Sequence, residues 1–152
     1  MQTAGTLAEV TERLRRLEDI EEIRRLYVDY GRYLDDGDAA GYASLFSQDA
    51  KLRLGPVLHA NGREEIERAA VKMLGGRSPG EEKGSIHVID TPRLQLSGDN
   101  ASGECVWAAI GRGRDGAAPS VLAGRHVDKL VREEGIWRFA ERRGFIDIGA
   151  LA

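Results

Sequence analysis

Only one cysteine, Cys105, occurs among the 152 residues of the chain. A single thiol allows neither an internal disulfide nor a cysteine metal cluster. Cys105 lies in the apolar segment CVWAAI, where a small buried side chain is its expected role. The sequence also lacks His-x-His, His-Glu-x-x-His and paired cysteines, the spacings that are typical of metal sites, so we predict no bound metal.

An excess of charge of either sign is absent as well. Lysine and arginine number 22 against 25 aspartates and glutamates, for a formal net charge of −3. Nucleic-acid binding calls for a clustered basic surface, whereas the arginines here are interleaved with glutamates. We therefore predict no nucleic-acid partner. The segment Gly111-Arg-Gly-Arg-Asp-Gly116 fits the dinucleotide-binding pattern, but no helical segment follows it, which indicates a hairpin loop and no cofactor.

Long apolar runs are missing too. No run approaches the ~20 residues of a membrane-spanning helix, and the first residues, MQTAGTLAEVTERL, do not combine a basic segment with an apolar one. We expect no membrane partner and a cytoplasmic location. A chain of this length forms one domain that buries roughly 70% of its unfolded surface, and its apolar fraction of 41% is typical of a globular protein.

The N-terminal third carries an apolar residue at every third or fourth position, which predicts a long helix or two helices in line. Asp19 and Glu22 have the spacing of a capping box. They predict a second helix that starts near residue 19 and leaves residues 7–18 as a separate arm. The periodic positions are Leu7, Val10, Leu14, Leu17, Ile20, Ile23, Leu26, Tyr30 and Leu34.

Short segments of mixed type follow. Asp38 is expected to cap a helix from Ala39 to Phe46. Two short strands, AKLRLG and VLHA, then lead through the turn dipeptide Asn61-Gly62 to a third helix, Arg63 to Leu74. Residues 75–84 are rich in glycine and charge, which predicts a mobile surface loop and a candidate lid.

The second half predicts four long strands joined by hairpin turns. Helices at the front and an antiparallel sheet at the back indicate an α+β fold, with the helices packed on one face of a curved sheet. The predicted strands are Ser85–Leu96, Ala101–Arg112, Ser120–Arg132 and Ile136–Ile148.

His87 lies in the first of these strands. Alternation places His87 and Ile89 on one face of the sheet, and Ile86 and Val88 on the other. Because the second face is also apolar, we expect it to form a homo-oligomer interface. His87 then lies on either the helix-covered pocket face or the oligomer face, and it is either a catalytic residue or a core or interface histidine with a structural partner.

Four segments together resemble the SnoaL-like branch of the nuclear transport factor 2-like superfamily. They are LEDIEEIRRLYVDYGRYLDDGDAAGYASLFSQDA, NGREEI, IHVID and GRHVDKLVREEGIWRFAER, and the resemblance extends over residues 17 to 148. It implies a cone, in which residues 19–148 form a strongly bent sheet around a long helix with a pocket between them. The branch includes dehydratases, a dehydrochlorinase and polyketide cyclases, so the fold alone does not define the reaction.

The resemblance also implies an Asp–His dyad made by Asp35 and His87. Of the three aspartates in YLDDGD, Asp38 caps a helix and Asp36 is expected to be solvated, whereas Asp35 turns inward to meet His87. A neutral imidazole, with an unperturbed pKa of ~6.5, accepts a proton near neutral pH, and an adjacent carboxylate fixes its tautomer. Tyr30 resembles the tyrosine of the bile-acid dehydratase; its role is either a catalytic donor or a core side chain.

These features predict a cofactor-independent lyase or isomerase that acts on a small, hydrophobic, cyclic carbonyl or hydroxyl compound. Dehydration, isomerisation and cyclisation all fit a base of this kind. The alternatives are an epoxide hydrolase, whose relatives resemble an Asp-Arg-Asp arrangement, and a binding module without chemistry.

His126 stands where many relatives have a tyrosine, and it is predicted to be a helper acid or a polar pocket wall. Asp128 shares its face of the strand and is expected to orient it. We further predict that substrate contacts come from Phe46, Ile89, Trp107 and Asp128. His59 is expected at the surface or the pocket rim, and Trp137 in the core.

Overall fold

Three helices and seven strands make up the described part of the protein, residues 5–56 and 58–149 of a computed structural model. The helices are α1 (Leu7–Asp36), α2 (Ala39–Ser44) and α3 (Arg63–Met73). The strands are β1 (Phe46–Leu54), β2 (Leu58–Asn61), β3 (Ser85–Ile89), β4 (Arg93–Ser97), β5 (Asn100–Gly111), β6 (Ser120–Glu133) and β7 (Ile136–Ile148).

All seven strands belong to one curled sheet, which confirms the predicted α+β fold. The strand order is β2-β1-β7-β6-β5-β3, and β4 also pairs with β5. Neighbouring strands are antiparallel except β1 and β7, which are parallel. Two register shifts between β6 and β7, after Ala123 and after Lys129, increase the local twist and bend of the sheet.

The strand predicted from Ser85 to Leu96 is in fact two strands, β3 and β4, separated at residues 90–92. Pro92 has no N–H to donate to the ladder, so the strand is interrupted next to it. The Asp90 carboxylate accepts a hydrogen bond from the Val106 N–H at 2.9 Å. Both pieces still pair with β5, so the interruption bends the edge of the sheet without ending it.

Helix α1 is one continuous helix of 30 residues, and the predicted helix start at Asp19 is wrong. The capping box lies at the true N-terminus, where Thr6 and Glu9 exchange hydrogen bonds. Asp19 instead accepts hydrogen bonds from the Arg132 guanidinium and the Trp137 indole. Asp19 therefore contacts the sheet and does not cap a helix. The apolar periodicity continues through residue 19, so the helix is not interrupted there.

The first part of α1, where a separate arm was expected, is exposed and continuous with the rest of the helix. Residues 7–18 are exposed, and the apolar side chains on this part include Leu7 at 83% and Leu17 at 62% exposure. Burial begins with Ile23, which is fully covered. From Ile23 onward, α1 packs in the concave face of the sheet.

Asp38 caps α2 as predicted, because its Oδ1 accepts a hydrogen bond from the Gly41 N–H at 2.8 Å. Phe46, predicted as the last residue of this helix, begins β1 instead. Between α1 and α2 the chain turns at Gly37, whose φ of 75° is left-handed and favours glycine. This turn places the end of α1 beside β3.

The core lies between α1, α2 and the concave face of β1, β6 and β7. Aromatic rings dominate it and pack edge-to-face or tilted at centroid distances of 4.9 to 6.5 Å. The rings belong to Tyr27, Tyr30, Tyr42, Phe46 and Phe139.

The convex face of the sheet exposes an apolar stripe. Ile86, Ile110 and Val121 lie in register on three neighbouring strands, each between 43% and 55% exposed, and Val88 and Val106 extend the stripe at 56% and 55%. That this face binds further copies of the chain stays a prediction. None of the helices within the described ranges has the length and apolar character that a membrane crossing requires.

Candidate active site

The end of α1 and the edge strand β3 meet through Asp35 and His87. The Asp35 carboxylate is buried, and its Oδ1 lies 2.7 Å from His87 Nδ1. The backbone N–H of His87 also donates to Oδ1 at 3.1 Å and to Oδ2 at 3.0 Å. The structure thus brings the predicted pair together, and the carboxylate binds both the ring and the backbone of its partner.

This contact defines the tautomer of His87. A carboxylate accepts hydrogen bonds but does not donate them, so the Nδ1 of His87 carries the shared proton. The neutral ring then has its lone pair on Nε2. Within the described residues Nε2 has no hydrogen-bond partner, and His87 lines a large cavity. Nε2 is therefore available to a bound molecule as a base.

A glycine allows the close approach of α1 to β3. Gly31 lies one helical turn before Asp35, and a Cβ atom on it would be 3.2 Å from His87 Cβ and 3.3 Å from Ile89 Cδ1. Contacts this short require the neighbouring side chains to shift. The small residue at this position therefore sets the distance between helix and strand that the dyad needs.

Loop residues 75–84 dock on the same end of α1. The Arg77 guanidinium donates to the backbone carbonyl of Leu34 at 3.2 Å and of Asp35 at 3.4 Å, and Lys83 pairs with Asp36 at 2.7 Å. These cations complement the negative end of a helix that has no basic residue in its last turn. None of the loop residues lines the cavity, and its predicted role as a lid stays a prediction.

The cavity has a volume of about 710 Å³ and lies between α1, α3 and the sheet. Most of its wall is apolar. Most polar side chains form two separate groups: Tyr30, His87 and His126 on α1, β3 and β6, and three charged residues on α3, while His59 of β2 lies at the rim. The apolar wall consists of Leu34, Leu54, Leu58, Ala60, Ala69, Met73, Trp107, Ala109, Leu122 and Ile146.

The sequence and the fold of this chain are similar to those of known proteins. Residues 15–143 match the sequence profile described as the SnoaL-like domain. The chain belongs to the SnoaL-like family. No curated protein sequence matches it. Its fold is shared by solved structures that include dehydratase-type and dehydrochlorinase-type proteins.

Three of these structures represent the range. A nuclear transport factor 2-like protein with a cystatin-like fold, from Novosphingobium aromaticivorans, has 25% identity and a TM-score of 0.78 over 97% of this chain and 94% of its own. A provisionally assigned scytalone dehydratase from the same species has 24% identity and a TM-score of 0.75, with coverages of 88% and 87%. A hexachlorocyclohexane dehydrochlorinase from Novosphingobium barchaimii has 22% identity and a TM-score of 0.75, with coverages of 89% and 90%.

His126 lies in the cavity wall of this SnoaL-like protein and is only 4% exposed. Its ring stacks on Trp107 at 5.6 Å and meets the edge of Tyr30 at 5.3 Å. Burial, and then the positive charge of Arg142 and the neighbouring His87, hold the pKa of His126 well below 6.5. A neutral ring at neutral pH favours the polar-wall interpretation over that of a helper acid.

Asp128 does not orient His126, and that prediction is wrong. The Asp128 carboxylate accepts hydrogen bonds from Arg142 at 2.7 and 2.8 Å and from the Tyr27 hydroxyl at 2.7 Å. It is buried behind the cavity wall and does not line it. The atom that faces His126 Nδ1 is Cys105 Sγ, at 3.8 Å.

Arg142 is the important side chain that sequence reasoning missed. It is fully buried, and its guanidinium carbon lies 4.2 Å from the ring centroid of Tyr30 and 4.0 Å from that of Phe139. Simple alternation from Phe139 would place Arg142 on the convex face. One extra residue, Ala140, is inserted between Phe139 and Glu141 relative to β6, and this bulge reverses which residues point inward.

Tyr30 lines the cavity and is also part of the aromatic core, so both of its predicted roles coexist. The Tyr42 hydroxyl donates to the Tyr30 hydroxyl at 3.1 Å. Burial raises the pKa of Tyr30. The side chain is therefore a neutral phenol near neutral pH, with a proton to donate.

Of the remaining predicted contacts, only Trp107 is in the cavity wall. Phe46 is fully buried between Tyr42 and Phe139, and Ile89 packs beside Gly31. The prediction that these two line the cavity is wrong, because the aromatic core and the helix–strand contact occupy them.

The other sequence expectations concern single residues. His59 is exposed at the cavity rim, and Trp137 is fully buried, both as predicted. Burial raises the pKa of the Cys105 thiol to about 12. This disfavours a nucleophilic thiolate, in agreement with its expected structural role.

Replacing Arg142 with Met will remove the cation that compensates a fully buried carboxylate. We expect the free energy of unfolding, measured in urea, to fall by about 3 to 5 kcal/mol. The double variant Arg142→Met/Asp128→Leu removes both charges and should recover much of that loss. Additive losses in the two single variants and the double variant would contradict the buried pair.

The depressed pKa of His126 predicts a pH dependence of stability. Since the unfolded chain binds a proton on this histidine below pH ~6.5 while the folded chain keeps it neutral, acidification through that range favours unfolding. His126→Phe should reduce the slope of unfolding free energy against pH between pH 6.5 and 5 by up to about 1.4 kcal/mol per pH unit. Exposed His59→Gln is the control, and an unchanged slope in His126→Phe would disprove the assignment.

Proposed function

We propose that this SnoaL-like protein is a cofactor-independent lyase or isomerase, with dehydration as its first candidate reaction. Its substrate is a small, mostly apolar, cyclic carbonyl or hydroxyl compound. The observation that carries the proposal is an imidazole whose Nδ1 is bound to a buried carboxylate at 2.7 Å and whose ring lines a largely apolar cavity of about 710 Å³.

In the proposed reaction His87 Nε2 removes a proton from a carbon next to the activating group. Asp35 stabilises the imidazolium that forms, because it lies against the ring in a partly dehydrated site. General base catalysis of this kind contributes typically ~10²- to 10⁴-fold to the rate. The rest of the rate enhancement requires orientation of the substrate and stabilisation of charge on its oxygen.

In a dehydration, His87 and the substrate account for every proton and electron pair. The electron pair of the broken C–H bond forms the new double bond, and the hydroxyl on the neighbouring carbon leaves with its own bonding pair. The departing hydroxide takes a proton from the His87 imidazolium and leaves as water. Tyr30, a neutral phenol in the cavity wall, is the candidate donor to the carbonyl or enolate oxygen. Isomerisation differs only in that the imidazolium returns its proton to another carbon.

Two alternatives receive less support from the cavity. An epoxide hydrolase of the Asp-Arg-Asp type requires an arginine between carboxylates at the substrate, whereas Arg142 and Asp128 do not line the cavity. A binding module without chemistry is consistent with the hydrogen bond from the His87 backbone N–H to Asp35, since that contact would also serve a structural pair. Turnover by variants separates the two cases.

The test measures proton abstraction without requiring the natural substrate. Wild-type protein is incubated in deuterated water with a panel of cyclic ketones and cyclic 3-hydroxyketones, and NMR follows deuterium entry next to the carbonyl and loss of water. We expect His87→Gln and Asp35→Asn to lower the rate by about 10²- to 10⁴-fold.

The matched control is Asp36→Asn, which removes the adjacent, exposed carboxylate and should keep the wild-type rate. Circular dichroism establishes that each variant is folded. Folded His87→Gln protein with the wild-type rate would refute the lyase or isomerase proposal and leave the binding module.

A further inference from the structure

The second polar group of the cavity lies on α3. Glu65, Arg68 and Lys72 line the cavity together with Ala69, and their spacing of three and four residues places them on one face of the helix. The catalytic candidates Tyr30 and His87 belong to α1 and β3 instead. The cavity therefore has one wall with Tyr30, His87 and His126 and a second, charged wall on α3, with apolar surface around them.

The two cations on α3 have no partner within residues 5–56 and 58–149. Arg68 and Lys72 make neither an ion pair nor a side-chain hydrogen bond there, whereas Arg63, on the same helix, pairs with Glu133 at 3.1 Å. Among the same described residues Glu65 forms no ion pair with either cation, and its carboxylate accepts a hydrogen bond from the Asn61 N–H at 2.8 Å. Arg68 and Lys72 therefore give the charged wall two cations that are available to bind an anion.

The fold does not require this arrangement. Like charges four residues apart slightly destabilise an isolated helix, and Arg68 and Lys72 are exposed at the cavity. Exposed cations let an anion bind without complete loss of its water, which avoids the high cost of burying a charge. An arginine next to a lysine suits a carboxylate, since the planar guanidinium binds both oxygens at once.

We propose that the substrate carries a carboxylate at the end remote from the reacting carbon, and that Arg68 and Lys72 bind this carboxylate. The inference rests on the proposed function for the reacting end and names the class of substrate: an amphipathic cyclic acid. The apolar ring occupies the cavity, the carboxylate lies on α3, and the activated carbon faces His87. Two fixed ends orient the substrate for proton abstraction.

The experiment compares two probes that share the same naphthalene ring, 2-naphthoate and its uncharged methyl ester. Binding to the full chain is followed by probe fluorescence at low and high salt. We expect 2-naphthoate to bind more tightly than the ester at low salt, and the difference to shrink at high salt, because exposed ion pairs are screened.

The variant Arg68→Met/Lys72→Met keeps much of the apolar length of both side chains and removes their charge. Its affinity for 2-naphthoate should fall by about fivefold or more, the effect of two exposed ion pairs, while its affinity for the ester stays the same. The control Arg13→Met/Arg16→Met makes the same change in net charge on the exposed arm of α1 and should bind both probes like the wild type.

Three results would overturn the proposal: no binding of 2-naphthoate by the wild type, equal affinity for acid and ester at low salt, or an equal loss in the control variant. The difference in affinity between acid and ester is measured without turnover, so it separates this proposal from the catalytic one. A wild type that shows no such difference but still exchanges protons on cyclic ketones would overturn the carboxylate proposal and leave the chemistry of His87 standing. A wild type that shows the difference but no proton exchange would do the reverse.

Discussion

The contact between the Asp35 carboxylate and His87 joins the end of the long helix to the edge of the sheet, and the site depends on it. The carboxylate accepts from the ring Nδ1 and from the backbone N–H of the same residue, so the histidine is held in position and in tautomer. Gly31 permits the close approach, Gly37 turns the chain away after the helix, and Arg77 binds the last carbonyls of α1. Each of these features positions one carboxylate.

A buried ion pair lies behind the cavity wall that contains Tyr30 and His126. The buried pair of Arg142 and Asp128, with the Tyr27 hydroxyl, lies beneath Tyr30. Burial is the main cause of the low pKa of His126, and the positive charge of Arg142 adds to it. A buried ion pair adds little to the free energy of unfolding, but removing one of its partners lowers that free energy strongly. Burial and the charge of Arg142 keep His126 neutral, whereas His87 pairs with a carboxylate, so the two histidines of one cavity lie in different environments.

Local chemistry made much of the fold predictable. Asp38 as a helix cap and the shared face of His87 and Ile89 follow from short-range rules of capping and alternation, but alternation alone did not decide which face of the sheet points inward. The Asp35–His87 pairing came from family resemblance, since no local pattern relates residues 52 positions apart. Arg142 was missed because an inserted residue, Ala140, reverses the alternation along β7. The helix start predicted at Asp19 was wrong because Asp19 and Glu22 have the spacing of a capping box. The partners of Asp19 in the structure, Arg132 and Trp137, are distant in sequence.

The tautomer of His87 tests the Asp35–His87 contact most directly, and two-bond nitrogen–proton correlations in NMR spectra of the neutral ring report it. We expect a proton on Nδ1 and a bare Nε2 in the wild type, and a changed tautomer population in Asp35→Asn, whose amide can donate to Nδ1. A wild-type ring protonated on Nε2, or the same tautomer population in Asp35→Asn as in the wild type, would show that Asp35 does not hold the ring in this way.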